Sequence, residues 1–273
     1  PYFAEHEIDA NAIPAGPGRL PFSAAAADVL EAFKPPVVSF HFGLPEPALL
    51  ARVKAWGARV LSSATTVDEA KWLVQHGADA VIAQGLEAGG HRGHFLSRDI
   101  ARQSDTLSLV GQLAGVLSVP VIAAGGIATA GDVRAALDRG ASAVQVGTAF
   151  LLCPEAQTPA LHRAKLKDVS APTELTNLFS GGLARSLVNR VMRELGPASE
   201  AAPPFPLATA AIAPLRTQAE ALGRDDFTPL WSGTKHGSSR EVPAAEVVKA
   251  LSAGWARSEE HTSELQSPMF ISY

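Results

Sequence analysis

The ten residues from Gln84 to Gly93, QGLEAGGHRG, bring together residue types that could carry out chemistry at a strand end. They follow a short apolar run, Ala78 to Ala83, and four of the ten are glycine. Glycine lets a backbone approach a flat or phosphorylated ligand closely, and an imidazole can transfer a proton near neutral pH. Because α/β barrels build their active sites from loops of this kind, His91 is the candidate catalytic residue. The alternative is a structural histidine that bonds only to the backbone.

Two further apolar runs end in glycine-containing sequences that suit a phosphate group. Ala123 to Ile127 reads AAGGI, and Gln145 to Thr148 reads QVGT. Two consecutive strand ends of this type form a cradle of backbone amides, to which the Thr148 hydroxyl adds a donor. Amides and a helix N-terminus suit a phosphate without any lysine, so we predict a site for the phosphate of flavin mononucleotide (FMN). The alternative is that these are ordinary turn glycines.

Other candidate residues are less decisive. His41 ends the first apolar run and either lines a substrate pocket or is a core histidine. Trp231 either reaches the flavin or closes the C-terminal part. His91 and His94 have no third ligand nearby, so no metal site is predicted. Five other histidines are expected in solvent, namely His76, His94, His162, His236 and His261.

Composition excludes several classes of function. The chain has 273 residues and a formal net charge of −4, so nothing indicates a nucleic-acid partner. No apolar run reaches the ~18 residues of a membrane span. The one cysteine, Cys153, fits a reducing compartment, and we expect a cytoplasmic protein. The sequence lacks the GxGxxG, GxxxxGK[ST] and GxSxG motifs of Rossmann nucleotide sites, P-loops and serine hydrolases.

Strand and helix patterns alternate through the first 150 residues, which predicts a parallel sheet covered by helices. The predicted strands are Pro36 to Phe42, Ala58 to Ser63, Ala78 to Ala83, Val119 to Ala124 and Ser142 to Val146. The predicted helices are Glu46 to Trp56, Val67 to His76, Asp105 to Leu117 and Ala130 to Arg139. Gly57, Gly77 and Gly140 each end a helix as a C-terminal cap would, and Thr66 to Glu69 reads as a capping box.

The fold class predicted from this alternation is α/β, with a TIM-type (β/α)8 barrel that is incomplete. About five βα units are present where a closed barrel needs eight, and three further units would correspond to roughly 90 residues before Pro1. We assign residues 1–153 to the partial FMN-binding barrel. Residues 154–256 form a helical C-terminal segment, with helices over 154–195 and 208–222. Residues 257–273 are polar and aperiodic and are expected to be a non-native or disordered tail.

In this order, QGLEAGGHRG, AAGGI and QVGTAFL resemble the nitronate monooxygenases, which are FMN-dependent TIM-barrel enzymes with an added helical segment. VVSFHFGLP, LSSATTVDEA and LARSLVNRVMRELGP match as well, so the resemblance runs from about Pro35 to Trp231. It implies that His91 is the catalytic base. It also implies flavin contacts at a set of strand-end residues, namely Gln84, Gly89, Gly126, Gln145, Val146, Gly147 and Thr148. The family's N-terminal strand region, with a flavin-contacting Asn, has no counterpart here.

The activity that the resemblance implies is FMN-dependent oxidation of alkyl nitronates, and of nitroalkanes, by O2 to a carbonyl compound and nitrite. The partners are then a small-molecule nitronate and O2, and a homodimer is compatible with the sequence. Similar loops occur in NAD(P)H-dependent FMN reductases of quinones or enoyl thioesters, which is the second hypothesis. The third is an inactive barrel fragment.

Overall fold

A computed structural model describes residues 2–9, 13, 20–255 and 270–271 of the chain. Its strands are β1 (Val37–Phe40), β2 (Arg59–Ala64), β3 (Ala80–Gln84), β4 (Gly90–His91), β5 (Val121–Ala124), β6 (Ala143–Gln145), β7 (Thr173–Thr176), β8 (Ala184–Leu187) and β9 (Phe270–Ile271). The longer helices are α2 (Ala24–Phe33), α3 (Pro47–Ala55), α4 (Val67–Gln75), α5 (Thr106–Ala114), α6 (Ala130–Asp138), α7 (Ala160–Lys167), α9 (Ala208–Ala221) and α10 (Ala244–Ser252). Two shorter helices are α1 (Tyr2–Glu5) and α8 (Arg190–Leu195), and single 3₁₀ turns occur at Ile100–Arg102, Thr148–Phe150 and His236–Ser238.

The main sheet runs in the order β1-β2-β3-β5-β6-β9, and all of its neighbouring strands are parallel. Five strands of the main sheet each lie within one of the five predicted apolar runs or extend one residue beyond it, namely β1, β2, β3, β5 and β6. Strands β3 and β5 are buried along their whole length, as in a sheet that is covered on both faces. The arrangement is part of a TIM-type barrel. Because these five strands are parallel, their carboxyl ends point to the same side of the sheet.

The core between this sheet and its helices is built from small and branched apolar side chains. Leu73 of α4 and Leu113 of α5 are fully buried against Val81 of β3 and Val121 of β5. Because these helices cover the outer face of the sheet, the strand ends are held rigidly. Within the described residues, no helix is long and apolar enough to cross a membrane.

Helix ends follow the predicted turn chemistry, with one exception. Gly57, Gly77 and Gly140 all adopt positive φ after their helices, as C-terminal caps do. Thr66 caps α4, and its hydroxyl accepts a hydrogen bond from the Glu69 N–H at 3.3 Å. The predicted capping box is only half formed, because the Glu69 carboxylate turns away to the Thr65 N–H at 2.7 Å.

The prediction of helix over residues 154–195 is correct for α7 and α8 but wrong for residues 173–187. Strands β7 and β8 form an antiparallel hairpin there, and β4 pairs with β8 on its other side. Each hairpin strand is only four residues long, so periodicity alone could not separate it from helix. The hairpin matters because it fixes the segment that carries His91.

The tail beyond residue 256 falls largely outside the described residues. Two of its residues, Phe270–Ile271, form strand β9, which pairs in parallel with β6. The sequence interpretation left this tail out of the fold. The boundary between a barrel part and a C-terminal part at residue 153 remains our proposal.

Candidate active site

A cavity of about 620 Å³ lies at the carboxyl ends of the main-sheet strands. Its wall is formed by side chains or strand-end loops of β1, β2, β3, β5 and β6. Residues 231–235, the closing segment, complete the wall through Trp231, Gly233 and Lys235. Ligand cavities of α/β barrels occur at this end of the sheet. All nine predicted site residues line it: His41, Gln84, Gly89, His91, Gly126, Gln145, Val146, Gly147 and Thr148.

His91 is held at the cavity by the small antiparallel sheet. Its backbone pairs with Ala184 of β8, and its Nε2 lies 2.7 Å from the Ser180 hydroxyl in the β7–β8 loop. The imidazole ring is surrounded by aromatic rings, with centroid distances of 5.3 Å to Trp231, 5.7 Å to Phe205 and 6.2 Å to Phe42. The imidazole is therefore fixed at one nitrogen inside a largely apolar enclosure.

Gln84 organises the loop that presents His91. Its side-chain amide donates to the His91 carbonyl at 2.9 Å, and its Oε1 accepts from the Gly93 N–H at 2.7 Å. His41 reaches the same carbonyl through Nε2 at 3.3 Å. The protein packed around His41 lowers the pKa of its imidazole below the ordinary value, and the hydrogen bond to His91 offsets part of that shift. Both residues therefore set the path of the loop as well as lining the cavity.

Two glycines permit close approaches that other residues could not make. A Cβ on Gly89 would lie 2.5 Å from the Gly233 amide nitrogen, so this position brings the His91 loop against the closing segment. Gly126 has a φ of +64°, in the left-handed region that favours glycine. Gly147 differs, because a Cβ there would meet no described atom within 4 Å. The side of Gly147 from which a side chain would project, its open face, is therefore not covered by described protein atoms.

The end of β6 supplies polar groups beside that open face. Among the described residues, the Oε1 of Gln145 is buried without a hydrogen-bond partner. The hydroxyl of Thr148 accepts from the Gly233 N–H at 2.9 Å and keeps its own proton to donate. Val146 is a buried neighbour that lines the cavity next to them. A buried amide oxygen without a partner is costly, which makes this wall a place for a ligand donor.

Sequence reasoning missed two residues of the cavity region. Ser180, which is 89 positions from His91 in the chain, becomes its neighbour only through the hairpin. Lys235 lines the cavity and forms an ion pair with Asp132 of α6. Neither residue lies in a recognisable motif, so no local signal could have identified them.

Arg92 is a third residue that the sequence interpretation passed over, although it directly follows His91. Its side chain is 1% exposed, and its guanidinium donates to the carbonyl oxygens of Gly85 and Gln84 at 2.6 and 2.8 Å. Burial, with a smaller contribution from the positive charge of Arg185, lowers the pKa of Arg92 to about 10. Arg92 thus connects the end of β3 to the loop that follows it through these hydrogen bonds.

Two other histidines depart from the sequence expectation. His162 and His236 are buried, at 8% and 4% exposure, although both were expected in solvent. Trp231 lines the cavity, and its backbone pairs with Ser186 of β8. Contact between Trp231 and the flavin stays a prediction. His261 lies outside the described residues.

The chain has a parallel sheet with a cavity formed by the loops at the carboxyl ends of its strands. This places it among the TIM-type α/β proteins that bind ligands at the strand ends. The family model described as nitronate monooxygenase matches residues 12–254. The chain is 46% identical over 220 residues to a nitronate monooxygenase of Pseudomonas aeruginosa, and that match covers 80% of this chain and 63% of the relative. The chain belongs to the nitronate monooxygenase family, which is in general flavin-dependent.

Further relatives agree. A nitronate monooxygenase of Paraburkholderia phytofirmans is 41% identical over 221 residues, covering 80% of this chain and 60% of the relative. The chain therefore spans about three fifths of the length of these two relatives. The solved structure of a nitroalkane oxidase from Streptomyces ansochromogenes has a TM-score of 0.83 at 42% identity, covering 93% of this chain and 73% of that one. FabK from Thermotoga maritima has a TM-score of 0.67 at 26% identity, with coverage of 86% and 73%.

Proposed function

We propose that this chain is the FMN-binding part of an enzyme that oxidises alkyl nitronates, and nitroalkanes, with O2 to a carbonyl compound and nitrite. The observation that carries the proposal is the convergence of His91, Gln145 and three glycine-containing strand ends on one cavity of about 620 Å³. Cavities of this size hold cofactor-sized ligands. Family membership supports the same chemistry.

The residues present fit FMN. The buried and unpartnered Oε1 of Gln145 calls for a donor such as a ring N–H, and the open face of Gly147 leaves room for close approach. We assign the phosphate to Gly126, Gly147 and Thr148. The ring system is assigned to the wall formed by Gln84, Gly89, Gln145 and Val146. When bound, FMN supplies the redox chemistry, while the protein binds, orients and polarises.

His91 is assigned the proton transfer. A neutral nitroalkane must lose the proton on the carbon that bears the nitro group, and the electron pair of that C–H bond stays behind as the nitronate. The imidazole accepts this proton, while Ser180 holds its Nε2 in place. The rings of Trp231, Phe205 and Phe42 pack around it. A preformed nitronate needs no such step, and His91 then only hydrogen-bonds the nitro group. A well-placed base contributes about 10²–10⁴-fold to a rate.

The test is nitrite release by the FMN-loaded chain from nitroethane and from ethyl nitronate. We expect both substrates to give nitrite and consume O2. His91→Asn should keep FMN bound, lose nitroethane turnover by about 10²-fold or more and retain most turnover of the nitronate. Equal turnover of nitroethane by the variant would remove His91 from this role. Anaerobic bleaching of the flavin by NADH, without nitrite from either substrate, would select the reductase alternative. A colourless protein that takes up no FMN would favour the inactive fragment.

The cellular setting belongs to the same proposal. Cys153 is free and buried, as suits a reducing cytoplasm. A homodimer in solution is part of the proposal too, and light scattering on the purified chain measures its mass directly.

A further inference from the structure

Lys235 lies at the end of the cavity to which we assign the phosphate. Gly233, two residues earlier, donates its N–H to the Thr148 hydroxyl at 2.9 Å. The ammonium of Lys235 pairs with Asp132, in the first turn of the helix that follows Gly126. Residues 233–235 therefore contact both glycine-containing loops of the cradle, and Lys235 lines the cavity as those loops do.

Asp132 changes what this end of the cavity can offer an anion. Its Oδ2 accepts hydrogen bonds from the N–H groups of Ala128 and Thr129, both at 3.0 Å. These amides at the start of α6 would otherwise suit a phosphate, but a carboxylate already occupies them. Asp132 also adds a negative charge next to Ala128, which lines the cavity, and this charge repels an anionic ligand. Lys235 is the cation that neutralises it.

We propose that Lys235 is a phosphate-recognition residue, which makes the site selective for a phosphorylated flavin over an unphosphorylated one. This rests on the proposed function, because it takes FMN as the cofactor. The lysine acts in two ways: it donates to the phosphate, and it screens the phosphate from Asp132. Removing its charge therefore affects only ligands that carry a phosphate. The Lys235 side chain is 47% exposed, so solvent weakens the attraction below that of a buried pair.

The experiment compares FMN with riboflavin, which differ by the phosphate alone. Quenching of flavin fluorescence gives both affinities for the wild-type chain and for Lys235→Gln. We expect wild type to prefer FMN, and Lys235→Gln to weaken FMN binding by about 5–30-fold while riboflavin affinity changes less than about twofold. Lys235→Arg should retain the preference. Adding Asp132→Asn to Lys235→Gln should restore part of it, because the unscreened carboxylate is then gone.

The control variant is Lys249→Gln, which removes an exposed lysine of α10 that does not line the cavity. It should bind both flavins like wild type. Rising salt should weaken FMN binding by wild type and leave riboflavin binding nearly constant, which tests the idea without any substitution. Equal losses for both flavins, or no loss for FMN, would overturn the role of Lys235 while leaving the proposed function intact. Failure of wild type to bind either flavin would overturn both.

Discussion

Ser180 holds the imidazole of His91, to which we assign proton transfer. Its hydroxyl lies 2.7 Å from the His91 Nε2 and 3.3 Å from both the N–H and the carbonyl oxygen of Gly182, so it is itself held on two sides. Ser180→Ala removes the partner of Nε2 and loosens the hold on that nitrogen. We expect turnover of nitroethane to fall by about 10–100-fold, in the range found when a hydrogen bond that orients a functional histidine is lost. Turnover of ethyl nitronate and affinity for FMN should change little.

The readout for Ser180 is the ratio of the two turnover rates, because general damage to the site would lower both. Ser180→Thr keeps the hydroxyl and should recover most of the nitroethane rate. Should Ser180→Ala lower both rates equally, or neither, Ser180 would be no more than a packing residue. This variant leaves untouched the wall that we assign to the flavin, so bound FMN serves as the internal control.

At the level of single residues, the sequence indicated the cavity wall but not its supports. His91, Gly126 and Thr148 could be named because each lies in a short motif at a strand end. Ser180 and Lys235 lie 89 and 103 residues from their partners, which are His91 and Asp132. They become neighbours only when the hairpin and the closing segment fold back. Local patterns carry no information on such contacts.

Glu69 ties elements together that the sequence treats separately. Its side chain is fully buried, and one oxygen accepts from the Thr65 N–H and hydroxyl while the other accepts from the Phe95 N–H at 2.8 Å. It therefore joins the end of β2 to the loop that returns from His91. Glu69→Gln replaces one carboxylate oxygen by an amide N–H₂ group, which cannot accept a hydrogen bond from the N–H donor that faces it. We expect the free energy of unfolding to fall by about 2–4 kcal/mol, since a buried hydrogen-bond network loses a partner.

The matched control for Glu69 is its neighbour on the same helix. Asp68 pairs with Arg102 at 2.7 Å, but both side chains are more than half exposed. Surface pairs contribute about 0–1 kcal/mol, so Asp68→Asn should cost less than 1 kcal/mol. Urea denaturation of both variants measures the difference. Similar losses for the two would show that Glu69 is not the anchor that its contacts indicate.

At the level of elements, the five βα units could be predicted because each strand is a short apolar run followed by an amphipathic helix. Glycine caps at positions 57, 77 and 140 fixed their ends. The β7–β8 hairpin could not be predicted. Some residues of both hairpin strands are only partly buried. The hairpin also pairs with β4, a two-residue strand inside a glycine-rich loop. Tertiary pairing decided the structure there, not local propensity.

At the scale of the whole molecule, buried neutral histidines link folding to pH. His162 of α7 has an Nε2 that is buried without a partner among the described residues. Burial lowers its pKa from 6.5 to about 4, although a backbone hydrogen bond to Trp231 offsets part of the shift. Desolvation by the surrounding protein also lowers the pKa values of His41, which is exposed, and of the half-buried His94.

The sign of the effect follows from which state binds the proton. Above pH 6.5, His162 is neutral in both the folded and the unfolded chain, and its contribution to stability is constant. As the pH falls from 6.5 toward 4, the unfolded chain takes up a proton that the folded chain resists, and stability is lost. The shift corresponds to a loss of up to roughly 3 kcal/mol by pH 4. Urea denaturation at a series of pH values measures it, and His162→Gln should flatten the dependence in this window. An equally steep dependence in the variant would mean that His162 is protonated in the folded protein without cost.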